Sequence, residues 1–505
     1  MKMLRRLLVS LSILGISQTM SAETLNAYFE RLKQSPNALV SFLKAMPKGG
    51  ELHYHLAGGA YPETMATIAL QNNYCLQPTS QNLIAGSMGA SHCPGSSLPL
   101  KDFAAQQGAL PALVGAWSMK DYFPGKESAH DHFFNTFEKF MPIVIDHSPA
   151  LLAEVIQRAA DQHENYLEVM ILPDNAASLG FNVNSMDNQL PLERENFDAL
   201  KQDLLKQDNF QRNIQQAVEN TEKLFKETRE QLGCALHPEK PVCELNVKFQ
   251  YYVLREQPWE KVFTQALTAF EAVSRSKLLV GVNLVQPEDG LMALNQYHQH
   301  MRVFAFMHRS YPKVNLALHA GELAMGQVVP YYLQFHIDEA VNVAGAQRIG
   351  HGVDIAYETN AEQILKKMAQ TRIPVEINLT SNAIILDVSK RQHPLNNYLD
   401  HKVPVVLSTD DEGILRTDLT QEYVKAALDQ GLSYSALKQI NRNALTYSFL
   451  PGKSLWSEPS LAEPVKQCHD LKSHACLVFI KDNEKAQLQW KLENQLREFE
   501  SKLHL

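Results

Sequence analysis

Beyond its first two dozen residues the chain of 505 residues has no apolar run that could cross a bilayer as a helix, which takes about 20 residues. That excludes an internal transmembrane helix. It has no C-x-x-C pair, so a zinc knuckle lacks its usual spacing. It has no surplus of positive charge: 47 Lys and Arg stand against 55 Asp and Glu, a net charge of −8. A nucleic-acid or anionic-membrane partner needs a basic face, so both are disfavoured. No short repeat and no low-complexity tract is present, which argues against a repeat array.

What is present is the composition of a globular enzyme, 45% apolar and 20% charged, in a chain long enough to bury a large core. The start, MKMLRRLLVSLSILGISQTMSAETL, places Lys2, Arg5 and Arg6 before an apolar run from Leu7 to Ile16, with the small residues Ser21 and Ala22 after it. This is the layout of a cleavable signal peptide over residues 1–22. The alternative is a membrane anchor, for which the run is short. Removal of the signal takes the net charge to about −11 and predicts a soluble, exported protein, periplasmic or secreted, without stable membrane association. Six cysteines fit that compartment. Sequence neighbours are the preferred disulfide partners, Cys75 with Cys93, Cys234 with Cys243 and Cys468 with Cys476, although six cysteines allow fifteen connectivities.

Residues 23–45 predict a helical N-terminal extension. Eight apolar runs follow at 51–56, 166–172, 245–254, 278–285, 314–322, 347–355, 374–381 and 403–411. Starts of the last six lie 27 to 36 residues apart, room for a strand, a helix and two loops each. Near-continuous apolar strands alternating with helices, such as the one expected over 360–370, imply a parallel sheet covered on its outside. Eight units predict an α/β fold, a (β/α)8 TIM-type barrel, over residues 46–450; a doubly wound open sheet is the alternative. The two long gaps, 57–165 and 173–244, predict inserted helices after strands 1 and 2. The second gap shows helical spacing at Phe197, Leu200, Leu204, Phe210, Ile214, Val218 and Phe225. Residues 451–505 form a C-terminal extension, with Leu488, Leu492, Leu496, Phe499 and Leu503 spaced for a final helix.

The stretch ELHYHLAGG sets His53 and His55 two apart, so in a strand they point the same way. Alone the pair is weak evidence. The other predicted strand ends add His319 and Glu322 in LHAGE, His351 in RIGHG, and Asp410 and Asp411 in STDD. Taken singly, each has an ordinary explanation: a hydrogen-bonded core histidine, or an aspartate pair capping a helix. Together, at the strand ends where barrel active sites lie, they make a site. His53, His55, His319 and Asp410 suit one Zn²⁺ per chain with an open position for water, whose pKa the metal would lower to about 7. Glu322 is placed for proton transfer, His351 for holding the hydroxide, and Asp411 for facing a substrate.

MPKGGELHYHLAGG, LHAGE, RIGHG, EINLTSN and STDD, in this order, resemble the adenosine deaminase family of metal-dependent amidohydrolases. The MPKG lead-in and N-terminal extension resemble its secreted, growth-factor-related branch. The resemblance spans roughly residues 46–450 and implies hydrolytic deamination of adenosine, and of 2′-deoxyadenosine, to inosine and ammonia. It implies His53, His55, His319 and Asp410 as zinc ligands. Glu322 matches the acid that protonates purine N1, His351 the histidine that orients hydroxide, and Asp411 the residue facing N7. Gln286 stands where the family has a glycine whose backbone N–H contacts N3, and Glu376 where a carboxylate supports a ligand histidine. The cytidine-deaminase signature H-x-E with P-C-x-x-C is absent. A homodimer is implied by the secreted branch.

Three other readings compete: a deaminase of another aminopurine, a phosphotriesterase-like hydrolase, for which no bridging lysine is found, and a secreted binding or signalling protein on an inactive scaffold. One departure bears on substrate. The family reads Leu-Asp-Gly after H-x-H, its aspartate accepting the ribose 5′-OH; this chain reads Leu56-Ala57-Gly58. Either an inserted residue such as Asp121 or Glu138 replaces that acceptor, or the pocket tolerates 5′-modified nucleosides, the outcome favoured here. A 5′-phosphate is disfavoured for want of a basic cluster.

Overall fold

The computed structural model describes residues 25–125, 127–183 and 196–503. The predicted signal peptide lies outside them. Eight strands form one sheet: β1 (Glu51–His55), β2 (Tyr166–Ile171), β3 (Asn246–Leu254), β4 (Leu279–Val285), β5 (Asn315–Ala320), β6 (Arg348–His351), β7 (Val375–Ile377) and β8 (Val405–Leu407). Every neighbouring pair runs parallel, in chain order. The sheet closes just past β8, where Tyr54 bridges Asp410. His55 donates its backbone N–H to the Asp410 carbonyl at 3.0 Å, and Asp410 donates back to His53 at 3.2 Å. With helices outside, this is the expected (β/α)8 barrel.

All eight predicted strands are present, with trimmed ends. The seventh stops at Ile377 because residues 379–385 form a helix; the sixth stops at His351, and Ile355–Tyr357 is a 3₁₀ turn. Strand-like residues there are overridden by the turn into each loop.

The N-terminal segment is helical over 25–32 and again in α1 (Pro36–Ala45), broken where Pro36 begins the second helix. Phe42 of α1 packs on Phe499 of the last helix at 5.1 Å. The first long gap holds α2 (Ala129–Asp161), started by Ser128, whose side chain accepts the Asp131 N–H. α2 breaks at His147, two residues before Pro149, which lacks an N–H and crowds the carbonyl four residues back. That gap also contains a small antiparallel sheet of 75–77, 82–83 and 98–99, where only helices were expected. The second gap holds 197–205 and α3 (Asp208–Gln231), burying Leu200, Leu204, Phe210, Ile214 and Val218 as their spacing requires. The helix expected over 360–370 is α4 (Ala361–Thr371), and the final helix is α5 (Glu484–Ser501).

Disulfides join Cys75–Cys93, Cys234–Cys243 and Cys468–Cys476, all local in sequence. Three disulfides fit an oxidising compartment. No helix among the described residues is long and apolar enough to cross a membrane.

Candidate active site

The barrel interior beneath the mouth is polar, though its strands read as apolar. Arg348 of β6 pairs with Glu168 of β2 at 2.5 Å and with Glu376 of β7 at 2.6 Å. Gln250 donates to Glu168 at 3.0 Å, and Asn283 donates to Gln250 at 3.0 Å. All five are fully buried, so these bonds offset a large desolvation cost. The network ends on two histidines. Nδ1 of His53 donates to Glu376 at 2.7 Å, and Nδ1 of His319 donates to Asn283 at 2.9 Å. With the proton held on Nδ1, each ring turns a bare Nε2 lone pair toward the mouth.

Those lone pairs converge. Nε2 of His55 lies 3.2 Å from Nε2 of His319 and 3.2 Å from Asp410 Oδ1; Nε2 of His53 lies 3.3 Å from the same oxygen. One ligand atom from each of His53, His55, His319 and Asp410 falls within 4.8 Å of the others. His53 Nε2 is buried with no hydrogen-bond partner. A divalent cation among these atoms would satisfy all four, and three imidazoles with one carboxylate are a donor set that zinc accepts.

Glu322, His351 and Asp411 surround this point. Glu322, His351 and Asp410 form a second group within 4.8 Å, with His351 Nε2 3.7 Å from Glu322 and 3.9 Å from Asp410. Burial, with the Asp410 and Glu288 carboxylates, pushes the Glu322 carboxyl well above its ordinary range, toward its protonated form. Burial and Asp410 push Asp411 up in the same way. Burial brings His351 down to about 3 and keeps it neutral. His351 and Asp410 sit at φ of +67° and +68°, left-handed backbone costing on the order of 1–3 kcal/mol for such residues.

The turn carrying Glu322 is clamped from below. Glu288 accepts the backbone N–H of Gly321 at 3.1 Å and of Glu322 at 2.8 Å, and binds His336 Nδ1 at 2.6 Å. Arg255 faces Glu288 at 3.5 Å and donates to the His319 carbonyl at 2.7 Å. A Cβ on Gly321, which has φ +75°, would lie 2.5 Å from Asp354 Oδ1. One on Gly58 would lie 1.9 Å from Asp411 Oδ1, so the A-G-G turn after β1 lets Asp411 in.

Gln286 keeps the backbone shape a glycine would take, with φ +86°. Its side chain accepts the Glu256 N–H at 2.9 Å, and it lines a cavity at the barrel mouth with Ala57 and Tyr252. Asp121 and Glu138 do not line that cavity: both are exposed, Asp121 beside Lys120. Asp146 lines it instead, with Oδ2 accepting Tyr74 O–H at 2.6 Å. Sequence reasoning missed Arg255, Asn283, Glu288, Asn382 and Tyr252. A polar residue inside an apolar strand, such as Asn283 in LVGVNLV, was the available signal.

The family model described as adenosine deaminase matches residues 91–457. That span carries His319, Glu322, His351, Asp410 and Asp411, while His53 and His55 precede it and join the site through the fold. An adenosine deaminase of Clostridium kluyveri is 24% identical over 416 residues, 81% of this chain and 92% of the relative. One of Klebsiella pneumoniae is 39% identical over 137 residues, 27% of this chain and 38% of the relative. Among solved structures, the N6-methyl-AMP deaminase of Arabidopsis thaliana aligns at TM-score 0.54 and 18% identity, covering 91% of this chain and 99% of that one. The adenine deaminase of Arthrobacter aurescens aligns at TM-score 0.53 and 16% identity, covering 89% and 99%. At such identities the structural likeness speaks for the fold alone. The family match covers most of the chain, and the chain belongs to the adenosine deaminase family.

Proposed function

We propose that the protein is an exported, zinc-dependent aminohydrolase that converts adenosine, and 2′-deoxyadenosine, with water to inosine or its deoxy form and ammonia. The observation that carries this reading is the convergence of His53, His55, His319 and Asp410 on one point, with Glu322, His351 and Asp411 gathered round it. The four would hold one zinc, which when bound lowers the pKa of water toward neutrality.

The chain's own groups then do the following work. Glu322, whose carboxyl burial pushes toward the protonated form, donates to purine N1 and draws electron density from C6. The Nε2–H of neutral His351 offers a hydrogen bond to the attacking oxygen on the C6 side. Asp411, whose carboxyl burial and Asp410 push up toward the protonated form, faces N7, which is an acceptor only. The left-handed backbone at Gln286 leaves its N–H for N3. Glu376 and Asn283 hold the His53 and His319 rings, so their orientation costs nothing on binding.

The test is the ultraviolet change as adenosine becomes inosine, run on purified zinc-loaded protein beside 2′-deoxyadenosine, adenine and AMP. Turnover of the nucleosides supports the reading. No turnover of either, with zinc bound in stoichiometric amount, refutes it.

A further inference from the structure

A cavity of about 570 Å³ opens at the barrel mouth, a size within the roughly 300–1,000 Å³ typical of drug-sized ligands. It lies wholly beyond the residues assigned to the reacting edge. None of His53, His55, His319, Glu322, His351, Asp410 or Asp411 lines it; Ala57, whose neighbour Gly58 meets Asp411, and Tyr252, 6.5 Å from the His55 ring, line its side next to the site. The cavity therefore begins at the N3 contact of Gln286 and continues away from C6.

The purine's own geometry says which part of a substrate faces this chamber. N1, C6 and N7 lie along one side of the ring system, N3 and N9 along the other. With N1 at Glu322 after β5 and N7 at Asp411 after β8, N3 and N9 turn toward the loops after β1 to β4. Those loops floor the chamber. The N9 substituent therefore projects into it, and a pentose fills only a fraction of the space.

The walls say what chemistry the rest accepts. Met141 and Ile145 of α2, Met170 of β2, Leu224 of α3 and Leu254 of β3 make more of their surface apolar than polar, and the polar remainder is mostly uncharged. Lys223 is the one cation among the lining residues, and it already faces Glu227 at 3.8 Å. Asp146, held by Tyr74, adds a second carboxylate. A phosphate would meet two carboxylates and a single lysine, the other polar lining groups being neutral, whereas anion sites gather several charged donors. At the floor Ala57 presents a methyl group. We infer that the chamber is a binding site for the far end of the substrate, and that its substrate class is purine nucleosides extended at the 5′ carbon by an uncharged, apolar group. This rests on the deaminase reading above.

The experiment measures kcat/KM of the full zinc-loaded protein for adenosine, 5′-deoxyadenosine, a series of 5′-alkylthio-5′-deoxyadenosines from methyl to butyl, and AMP. Each methylene buried in the chamber should raise kcat/KM about three- to fourfold, so butyl should exceed methyl by at least tenfold. AMP should fall at least a hundredfold below adenosine. Leu224→Asp puts a charge in the wall and should reduce the ratio of butyl to adenosine at least tenfold. A flat series, or loss of activity on lengthening while adenosine is turned over, overturns the inference and leaves the deaminase reading standing: the chamber is then a solvent-filled entry. Inactivity toward every compound, adenosine included, overturns the deaminase reading and the inference with it.

Discussion

The side-chain amide of Asn382 donates to Nδ1 of His351 at 2.9 Å. The direction of that bond is set further out. Leu395 N–H donates to His393 Nδ1 at 3.2 Å, which leaves the His393 proton on Nε2, and this donates to Asn382 Oδ1 at 3.0 Å. The amide must therefore turn its NH₂ toward His351, and the His351 proton must sit on Nε2, the atom facing Glu322 and Asp410. Asn382→Asp replaces the donor by an acceptor and draws the proton to Nδ1. Turnover should fall at least a hundredfold with KM little changed, while Asn382→Ala, which leaves the tautomer free, loses less. Equal losses in the two variants would show that Asn382 packs rather than orients.

Glu322 is assigned the proton transfer because it lies beside the convergent ligand atoms, and burial with neighbouring carboxylates raises its affinity for a proton. Glu322→Gln keeps the shape and the Glu288 contact to its backbone, and removes only the transferable proton. A fall in kcat of about 10² or more is expected, with zinc content and thermal midpoint held. Near-normal turnover would place the acid elsewhere.

Metal content separates the site's two groups. One zinc per chain is expected by elemental analysis, and dialysis against a strong chelator should abolish activity that zinc then restores. His53→Ala should reduce zinc content as well as activity; Glu322→Gln should reduce activity alone. Full activity in chelator, with no metal bound, would reject the zinc assignment.

The sequence made the strands and the pocket's chemical residues legible for one reason. Both stand at strand ends, where apolar runs with histidines and acids interrupt an otherwise regular alternation. His53 and His55 share a face by strand period alone, and the structure brings them to His319 and Asp410. What supports them was not legible. Arg348 meets Glu168 and Glu376 across the barrel, contacts 180 and 28 residues apart in sequence that follow from barrel closure. The Gly58 approach to Asp411 likewise joins the chain's first strand to its last. Asp146 in the cavity wall depends on where α2 breaks, and Pro149 fixes the break without fixing which side chain turns inward.

The Cys75–Cys93 disulfide closes 18 residues, worth roughly 3 kcal/mol by chain entropy. It also starts beside Tyr74, the residue that holds Asp146 in the cavity wall. A double Cys75→Ser, Cys93→Ser variant should lose about 2–3 kcal/mol in denaturant titration and raise KM more than it lowers kcat. Changing Cys468 and Cys476 to serine should lower stability alone, since that pair lies in the separate cluster around Trp456 and Ile480. If both pairs shift KM alike, the link through Tyr74 fails.

Glu288 ties acid stability to the Glu322 turn. It is fully buried, and burial by itself pushes its carboxyl up; Arg255 and His336 outweigh that and bring it down to about 2. An acid whose folded pKa lies below its unfolded value of roughly 4.3 stabilises the fold above that value and loses the contribution as pH falls toward 2. The contribution is about 3 kcal/mol at pH 7 and roughly half of that at pH 3. Glu288→Gln removes it and leaves Arg255 facing a neutral amide, so the variant should be less stable than the parent by at least about 3 kcal/mol at pH 7. The gap should narrow as pH falls to 3, because the parent loses stability there and the variant does not lose this part. Denaturant titrations of both proteins at pH 7, 5 and 3 measure it. A gap that is constant with pH would mean that Glu288 acts through packing and hydrogen bonds alone, without the ionised pair to Arg255.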